Sequence, residues 1–348
     1  MATHHDTSED KMRKILLVIN FILLAIGNCG GPLIMRLYYL HGGNRIWLSS
    51  WLQTNGWPLI LIPLTIAYFH RRKNHTKFFL ITPRIFLASS MFGILIGIVN
   101  YLYSYGSSKL PVSTSSLILA TQLAFTAIFA YFFVKQKFTA YSINAIVLLT
   151  IGAVVLALHG ESDRPKGESS KEYLFGFILT LFAAGLYGFV MPMVESMYTK
   201  AKQSISYVLV LEVQMVICFF ATAFATVGMI VNNDFKAISR EASQFGLGEE
   251  KYHIVLIGSA ILWQFFFVGV IGVLSHGSSL LSGILISVLL PVTEILAVIF
   301  YHEKFQVEKG VALFLSLWGF ISYFYGEMKQ HKMISTSQTI TQPILESV

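Results

Sequence analysis

Long apolar stretches constrain this chain more than any other feature. About ten of them follow one another, at 15–40, 46–69, 84–105, 112–134, 141–159, 173–198, 205–231, 252–274, 277–301 and 308–327. A helix that crosses the hydrocarbon core of a bilayer needs roughly 20 such residues. The expected product is an all-α integral membrane protein with ten transmembrane helices. Charge agrees with this: 12% of the 348 residues are charged and 55% are hydrophobic, whereas soluble domains carry about 25% charged residues. Membrane lipid is the solvent that such a surface requires.

Most connections between the stretches are short. The longer ones, 160–172 and 232–251, are polar, and Asp234–Gly246 has the character of a surface helix. The tails 1–10 and 328–348 are polar and rich in Ser and Thr, and disorder is expected there. Lys11, Arg13 and Lys14 precede the first apolar run as in a signal peptide, but the run continues to about residue 39 without a cleavage signature, so an uncleaved first span is expected. Cys29 and Cys218 each lie inside an apolar run and read as small packing residues. No metal-ligand spacing stands out, and no cofactor is expected. The net charge of +7 comes from short loops rather than from a nucleic-acid-binding face.

Lys and Arg in the loops report orientation. An even number of spans puts both termini on one side, and the run His70-Arg-Arg-Lys-Asn-His-Thr-Lys77 lies on that side. Both termini are therefore expected in the cytosol. On this topology the glycosylation sequon Asn74-His75-Thr76 faces the cytosol.

The chain also repeats itself. Lys135-Gln-Lys-Phe138 follows one apolar run, and His302-Glu-Lys-Phe305 follows another. Pro111-Val-Ser-Thr-Ser-Ser-Leu117 precedes the first motif, and His276-Gly-Ser-Ser-Leu-Leu-Ser282 precedes the second. Ala25-Ile-Gly-Asn-Cys-Gly-Gly-Pro32 resembles Gly185-Leu-Tyr-Gly-Phe-Val-Met-Pro192 in the same order. The implied organisation is a tail at 1–14, a five-helix repeat at 15–159, a connecting loop at 160–172, a second five-helix repeat at 173–327 and a tail at 328–348. An odd number of spans per half inverts the second half, and such repeats place a solute site near the midplane.

Several of these motifs resemble those of the plant purine permease family, in the drug/metabolite transporter superfamily. They are Asn28-Cys-Gly-Gly-Pro-Leu33, Arg36-Leu-Tyr38, Gly42-Gly-Asn-Arg-Ile-Trp47, Tyr101-Leu-Tyr-Ser-Tyr-Gly106, Leu110-Pro-Val-Ser-Thr-Ser115, Gln122-Leu-Ala-Phe-Thr126, Lys135-Gln-Lys-Phe-Thr139, Leu290-Pro-Val-Thr-Glu294 and Phe300-Tyr-His-Glu-Lys304. The resemblance runs from about residue 14 to 327. It implies ten helices in inverted halves and proton-coupled uptake of adenine-like bases, with cytokinins as typical substrates and the plasma membrane as the site of action.

A purine presents a flat face for aromatic stacking and an edge of donors and acceptors, which Asn or Gln can grip in pairs. The buried amides expected to serve it are Asn100, Gln122, Gln53, Asn55, Gln214 and Gln264, with Tyr103, Tyr187 and Trp263 as aromatic partners. Each amide has a second reading as an interhelical hydrogen-bonding residue, and Gln53 and Asn55 as residues lining the way in. Trp47, Tyr131 and Tyr323 read as interfacial belt residues. Glu294 and Glu212 interrupt apolar spans. Intramembrane carboxylates are costly and usually face a cavity, which suits proton coupling; the alternative is a packing role. Glu195 reads as a carboxylate reaching out from its helix end, and Glu303 as an interfacial residue. Pro32 and Pro192 occupy matching places in the two halves, where kinks would suit a rocking motion. Gly93 and Gly97 form a small-residue face for close packing.

Enzyme chemistry has no foothold in the sequence: there is no HExxH, phosphate loop or nucleophile with an evident base. The expected function is proton-coupled secondary transport of purine bases and cytokinins. Two alternatives remain. One is the same fold carrying another ring solute, such as a vitamin, an alkaloid or a nucleotide sugar; the other is a non-transporting membrane receptor.

Overall fold

Every apolar stretch of the sequence is mainly helical over its described residues. The computed structural model describes residues 2–73, 79–136, 138–158, 169–201, 205–276, 279–302 and 307–345. The sequon at 74–76, the motif residues 303–305 and the side chains of Pro291 and Glu294 lie outside the described set.

The helices are α1 (Ala2–Leu40), α2 (Ile46–Thr54), α3 (Leu61–Lys73), α4 (Pro83–Lys109), α5 (Val112–Ala120), α6 (Gln122–Val134) and α7 (Ala140–Leu158). They continue as α8 (Ser170–Lys200), α9 (Tyr207–Val231), α10 (Asp234–Gln244), α11 (Glu249–His276), α12 (Ser279–Tyr301) and α13 (Val307–Leu345), and a 3₁₀ turn at Trp57–Ile60 joins α2 to α3. Among the described residues there is no strand. Seven stretches are long and apolar enough to cross a bilayer: Lys14–Leu40, Pro83–Lys109, Leu117–Val134, Ser170–Lys200, Tyr207–Val231, Glu249–His276 and Gly310–Gln330. Helices answer the bilayer's demand that each backbone N–H and C=O find a partner within the chain.

Local chemistry sets the helix ends. Ser169 and Glu172 form a reciprocal capping box at the start of α8. The Ser206 hydroxyl accepts from Leu209 N at 3.3 Å to start α9. Glu195 accepts from Ser279 N at 2.9 Å and so caps α12. The expectation that Glu195 reaches outward is thus corrected: its carboxylate satisfies an otherwise unpaired N–H of a neighbouring helix.

Two stretches are broken. Thr121 donates its hydroxyl to Ile118 O at 2.7 Å, and its N–H also reaches Ile118 O at 3.0 Å. This local competition with the helical ladder separates α5 from α6. Between α2 and α3 the chain turns at Asn55 and Gly56 before Pro58, which has no N–H to continue a helix.

Glycines let the long helices approach closely. α1 and α11 run antiparallel, and a Cβ on Gly27 would lie 2.6 Å from both Leu262 O and Phe266 Cα. Gly93 and Gly97 bring α4 against Ile217, Phe220 and Phe224 of α9. Gly106 sets α4 beside Gly176 and Thr180 of α8, and Gly152 and Gly319 join α7 to α13. In a bilayer, apolar area does not drive helices together, so close packing and interhelical hydrogen bonds carry association. The bonds from Trp51 Nε1 to Thr226 Oγ1 and from Thr222 Oγ1 to Thr54 Oγ1, both 3.0 Å, tie α2 to α9. Large apolar side chains such as Ile19, Ile22 and Ile26 point outward, while Asn20, Gln53, Asn100 and Gln122 are buried.

Two further expectations are corrected. The polar ends of the chain are helical, α1 beginning at Ala2 and α13 running to Leu345; extending an existing helix avoids the cost of nucleation. Tyr323 is 2% exposed, packed with Leu123, Ala127 and Leu149 rather than placed in a belt. Trp47 packs on Tyr101 with ring centroids 4.1 Å apart. By contrast, Tyr131 is exposed.

Candidate functional site

Four helices and one helix break converge on an internal cavity. α4 contributes Val99, Asn100 and Tyr103, and α11 contributes Trp263, Phe266 and Phe267. Spacings of three and four residues put each set on one helix face. Ala183 and Tyr187 come from α8 and Gln53 from α2. Leu119 and Gln122 flank the break at Thr121. Gln122, Tyr187 and Trp263 stand near the middle of their apolar stretches, where a site between two inverted halves is expected.

The polar groups divide into two kinds. Gln53 Nε2 donates to Ser104 Oγ at 2.7 Å and approaches Asn100 O at 3.4 Å, so it fixes α2 to α4. Asn100 Nδ2, Gln122 Nε2 and Trp263 Nε1 are buried and have no hydrogen-bond partner among the described residues. A buried, unpaired donor costs about 1–3 kcal/mol. Three of them around one cavity form a site with unused recognition capacity. The aromatic rings are linked in series. Tyr103 meets Trp263 edge-on at 5.6 Å, Trp263 meets Phe266 at 5.6 Å, and Phe266 stacks with Tyr187 at 6.3 Å. The cavity measures about 50 Å³. It holds a few waters at roughly 10–15 Å³ each, and a bicyclic base enters only if the walls part.

The remaining candidates sit elsewhere. Asn55 caps the C-terminal end of α2. Gln214 donates to Cys218 Sγ at 3.0 Å within α9. Gln264 is buried on the side of α11 facing Gly56. Glu212 is buried and accepts from Tyr68 OH at 3.2 Å, Leu80 N at 2.9 Å and Ile81 N at 2.8 Å, holding the start of the segment that leads into α4. Pro32 and Pro192 lie inside α1 and α8, which continue through them. Phe266 and Phe267 are wall residues that the reading of the sequence missed; the run Phe265–Phe267 after Trp263-Gln264 was the available signal.

A second, larger opening lies between the start of α4 and the end of α8. It measures about 780 Å³ and is lined by Thr82, Arg84, Ile85, Phe92, Met193, Ser196 and Lys200 among others. Phe92 is two turns from Val99 on α4, so the opening lies on the line from this face to the cavity. Among the described residues, no group of three or more His, Cys, Asp or Glu side chains could hold a metal ion.

Apolar helices around a buried cavity, walled by aromatic rings and polar side chains, define an integral membrane protein. Comparison with known proteins makes this particular. Residues 15–333 match the family model for purine nucleobase transmembrane transport. Purine permease 3 of Arabidopsis thaliana is 57% identical over 323 residues, covering 91% of this chain and 92% of that protein. Purine permease 2 of the same plant is 54% identical over 345 residues, covering 94% and 96%. Probable purine permease 5 is 34% identical over 325 residues, covering 93% and 89%. A solved crystal structure aligns with 89% of this chain and 98% of its own at a TM-score of 0.52 and 16% identity, a likeness of fold alone. The chain belongs to the purine permease family and is a purine nucleobase transporter.

Proposed function

We propose that the chain imports adenine-type bases, cytokinins among them, across the plasma membrane by proton-coupled alternating access. Both termini lie in the cytosol, and ten spans form two inverted halves. One observation carries the substrate reading: Asn100 Nδ2, Gln122 Nε2 and Trp263 Nε1 are unpaired donors around a single aromatic-walled cavity. Adenine carries ring-nitrogen acceptors along its edge and an exocyclic amine that a side-chain carbonyl can accept. An amide therefore grips it with two bonds. The apolar wall formed by Val99, Leu119 and Phe267 suits a hydrocarbon substituent on that amine.

Packing supports the two halves. α1 packs on α11 as α4 packs on α8, and exchanging the halves turns one pair into the other. α7 pairs with α13 and α2 with α9, each with its own counterpart. α6 and α12 both end at a left-handed residue, Lys135 (φ 56°) and His302 (φ 50°), at equivalent points of the repeated motif. The small cavity and the opening on one face support alternating access, because the solute needs the walls to part toward one side at a time.

For coupling, Glu294 on α12 is the proposed proton carrier. Glu212, whose carboxylate already accepts from Tyr68, Leu80 and Ile81, is the proposed anchor of the segment before α4. The test is uptake of labelled adenine by proteoliposomes with and without an inward proton gradient. Gradient-dependent accumulation, blocked by unlabelled cytokinin, is expected. Adenine movement indifferent to the gradient would remove proton coupling, and absence of uptake by folded protein would remove the substrate reading.

A further inference from the structure

At the face opposite the wide opening, two buried carboxylates and a partly exposed arginine close the bundle. Its residues come from three places: the end of α1, the turn before α2, and the short helix α10 with the start of α11. α10 is polar, yet Asp234 and Glu241 are buried at 0% and 7% exposure. Tyr38 OH and Tyr252 OH both donate to Glu241 Oε1, the latter at 3.1 Å. Arg45 Nε stands 3.7 Å from Glu241 Oε2, and Arg45 Nη1 is 3.5 Å from Asp234 Oδ1. Burial pushes the Asp234 carboxyl up from its usual range, and the Asn232 amide and the Arg45 guanidinium oppose that shift. Gly246 N donates to His41 O at 2.8 Å, docking the end of α10 onto the α1–α2 turn. Residues with positive φ flank these segments: Gly42 in the turn, Asn233 before α10 and Gly248 before α11.

The cluster also connects to the cavity. Tyr39, next to Tyr38, donates to Ser104 O at 3.0 Å. Ser104 Oγ accepts from Gln53 at 2.7 Å, and Gln53 lines the cavity with Asn100. Tyr38 and Tyr39 therefore join the ionic cluster to the polar wall of the site through one helix end.

We propose that Arg45, Glu241 and Asp234 form the gate on this face. In this structure the gate is shut while the crevice between α4 and α8 is open. Its ion pairs break as the α1–α2 turn separates from α10 to admit substrate. A buried ion pair adds little to stability over an apolar pair, yet breaking it leaves costly unpaired charge. That contrast suits a contact that is made in one state and exchanged for water in the other. The inference rests on the alternating-access reading, and on that reading's topology this is the outer face.

The test uses a chain without native thiols (Cys29→Ser, Cys218→Ala) carrying one reporter cysteine, probed in sealed vesicles with a membrane-impermeant thiol reagent. Ser104→Cys reports from between the gate and the cavity, and Ser196→Cys reports from the opposite crevice. Glu241→Gln is expected to speed labelling of the Ser104 reporter from the α10 face by about tenfold, since one charged partner is lost. It is expected to slow labelling of the Ser196 reporter from the other face, because two states share one population. The exchanged pair Arg45→Glu with Glu241→Arg, combined with Asp234→Asn to remove the carboxylate that would repel a glutamate at position 45, should return both rates toward the parent, and Lys236→Gln on the exposed side of α10 should change neither. If Glu241→Gln does not fold, Tyr252→Phe gives the same opposed pair of shifts at smaller size. Unchanged rates overturn the gate, and faster labelling of both reporters reduces the cluster to a staple of the fold. Adenine uptake by the same parent chain tests the transport reading separately, so the two readings fail independently.

Discussion

Three unpaired donors around one cavity make opposite demands on folding and on binding. Removing one should relieve the fold and harm recognition. Gln122→Leu keeps the bulk of the side chain and deletes an unsatisfied N–H. Its thermal stability in detergent should hold or rise, while adenine affinity falls by roughly 5- to 100-fold, the worth of one good amide–base contact. Gln53→Leu should behave in the reverse sense in a melting experiment, because Gln53 is bonded to Ser104. It should lower stability by about 1 kcal/mol, the usual size of one such bond. If Gln122→Leu melts lower and binds adenine normally, the cavity is a packing defect and not a recognition site. Trp263→Phe keeps a ring beside Tyr103 but removes the N–H together with part of the aromatic area, so a loss of affinity is expected from it too.

At the scale of elements, breaks and glycine seams place these residues. Gln122 stands at the cavity because Thr121 interrupts the helix one residue earlier and α6 restarts there. Gln53 lies near the end of α2, three residues before the break at Gly56. The seam between α1 and α11 sets the distance from Trp263 to the rest of the wall. Gly31 lies directly against the Trp263 ring, and Gly27 leaves no room for a Cβ against the Leu262 and Phe266 backbone. Gly27→Ala should therefore force the helices apart and cost about 1–3 kcal/mol, read as a lower melting temperature together with lost adenine binding. Normal melting with normal uptake would mean that α1 and α11 slide freely, and that the seam does not position Trp263.

Coupling belongs to the whole molecule, because a proton and a base must be tied to the same change of access. Glu294→Gln should abolish accumulation driven by a proton gradient while leaving exchange of labelled for unlabelled adenine across the vesicle membrane. Both fluxes are measurable on one preparation. Loss of exchange as well would make Glu294 part of the binding or folding machinery, and unchanged gradient-driven uptake would release it from coupling altogether.

The sequence alone determined that this is a helical membrane protein. It also located the seven stretches that are long and apolar enough to cross a bilayer, and it named six of the cavity's wall residues: Gln53, Asn100, Tyr103, Gln122, Tyr187 and Trp263. Those features are local: apolar length reports the bilayer, and an amide or a tryptophan in an apolar run is visible wherever it faces. Direction was not legible. In a soluble helix, a polar stripe shows which side meets water; in lipid both sides are apolar, so nothing in the chain distinguishes Gln122, which faces the cavity, from Gln214, which bonds to Cys218 one turn along its own helix. The same holds for Glu212, whose partners at Tyr68, Leu80 and Ile81 lie more than 130 residues away. Likewise, Arg45 sits in a short connection, and Asp234 and Glu241 sit in a segment that reads as a polar surface helix. Only the tertiary structure brings these charges into one cluster, because chain reversals far apart in sequence, not any local pattern, place α10 over the end of α1.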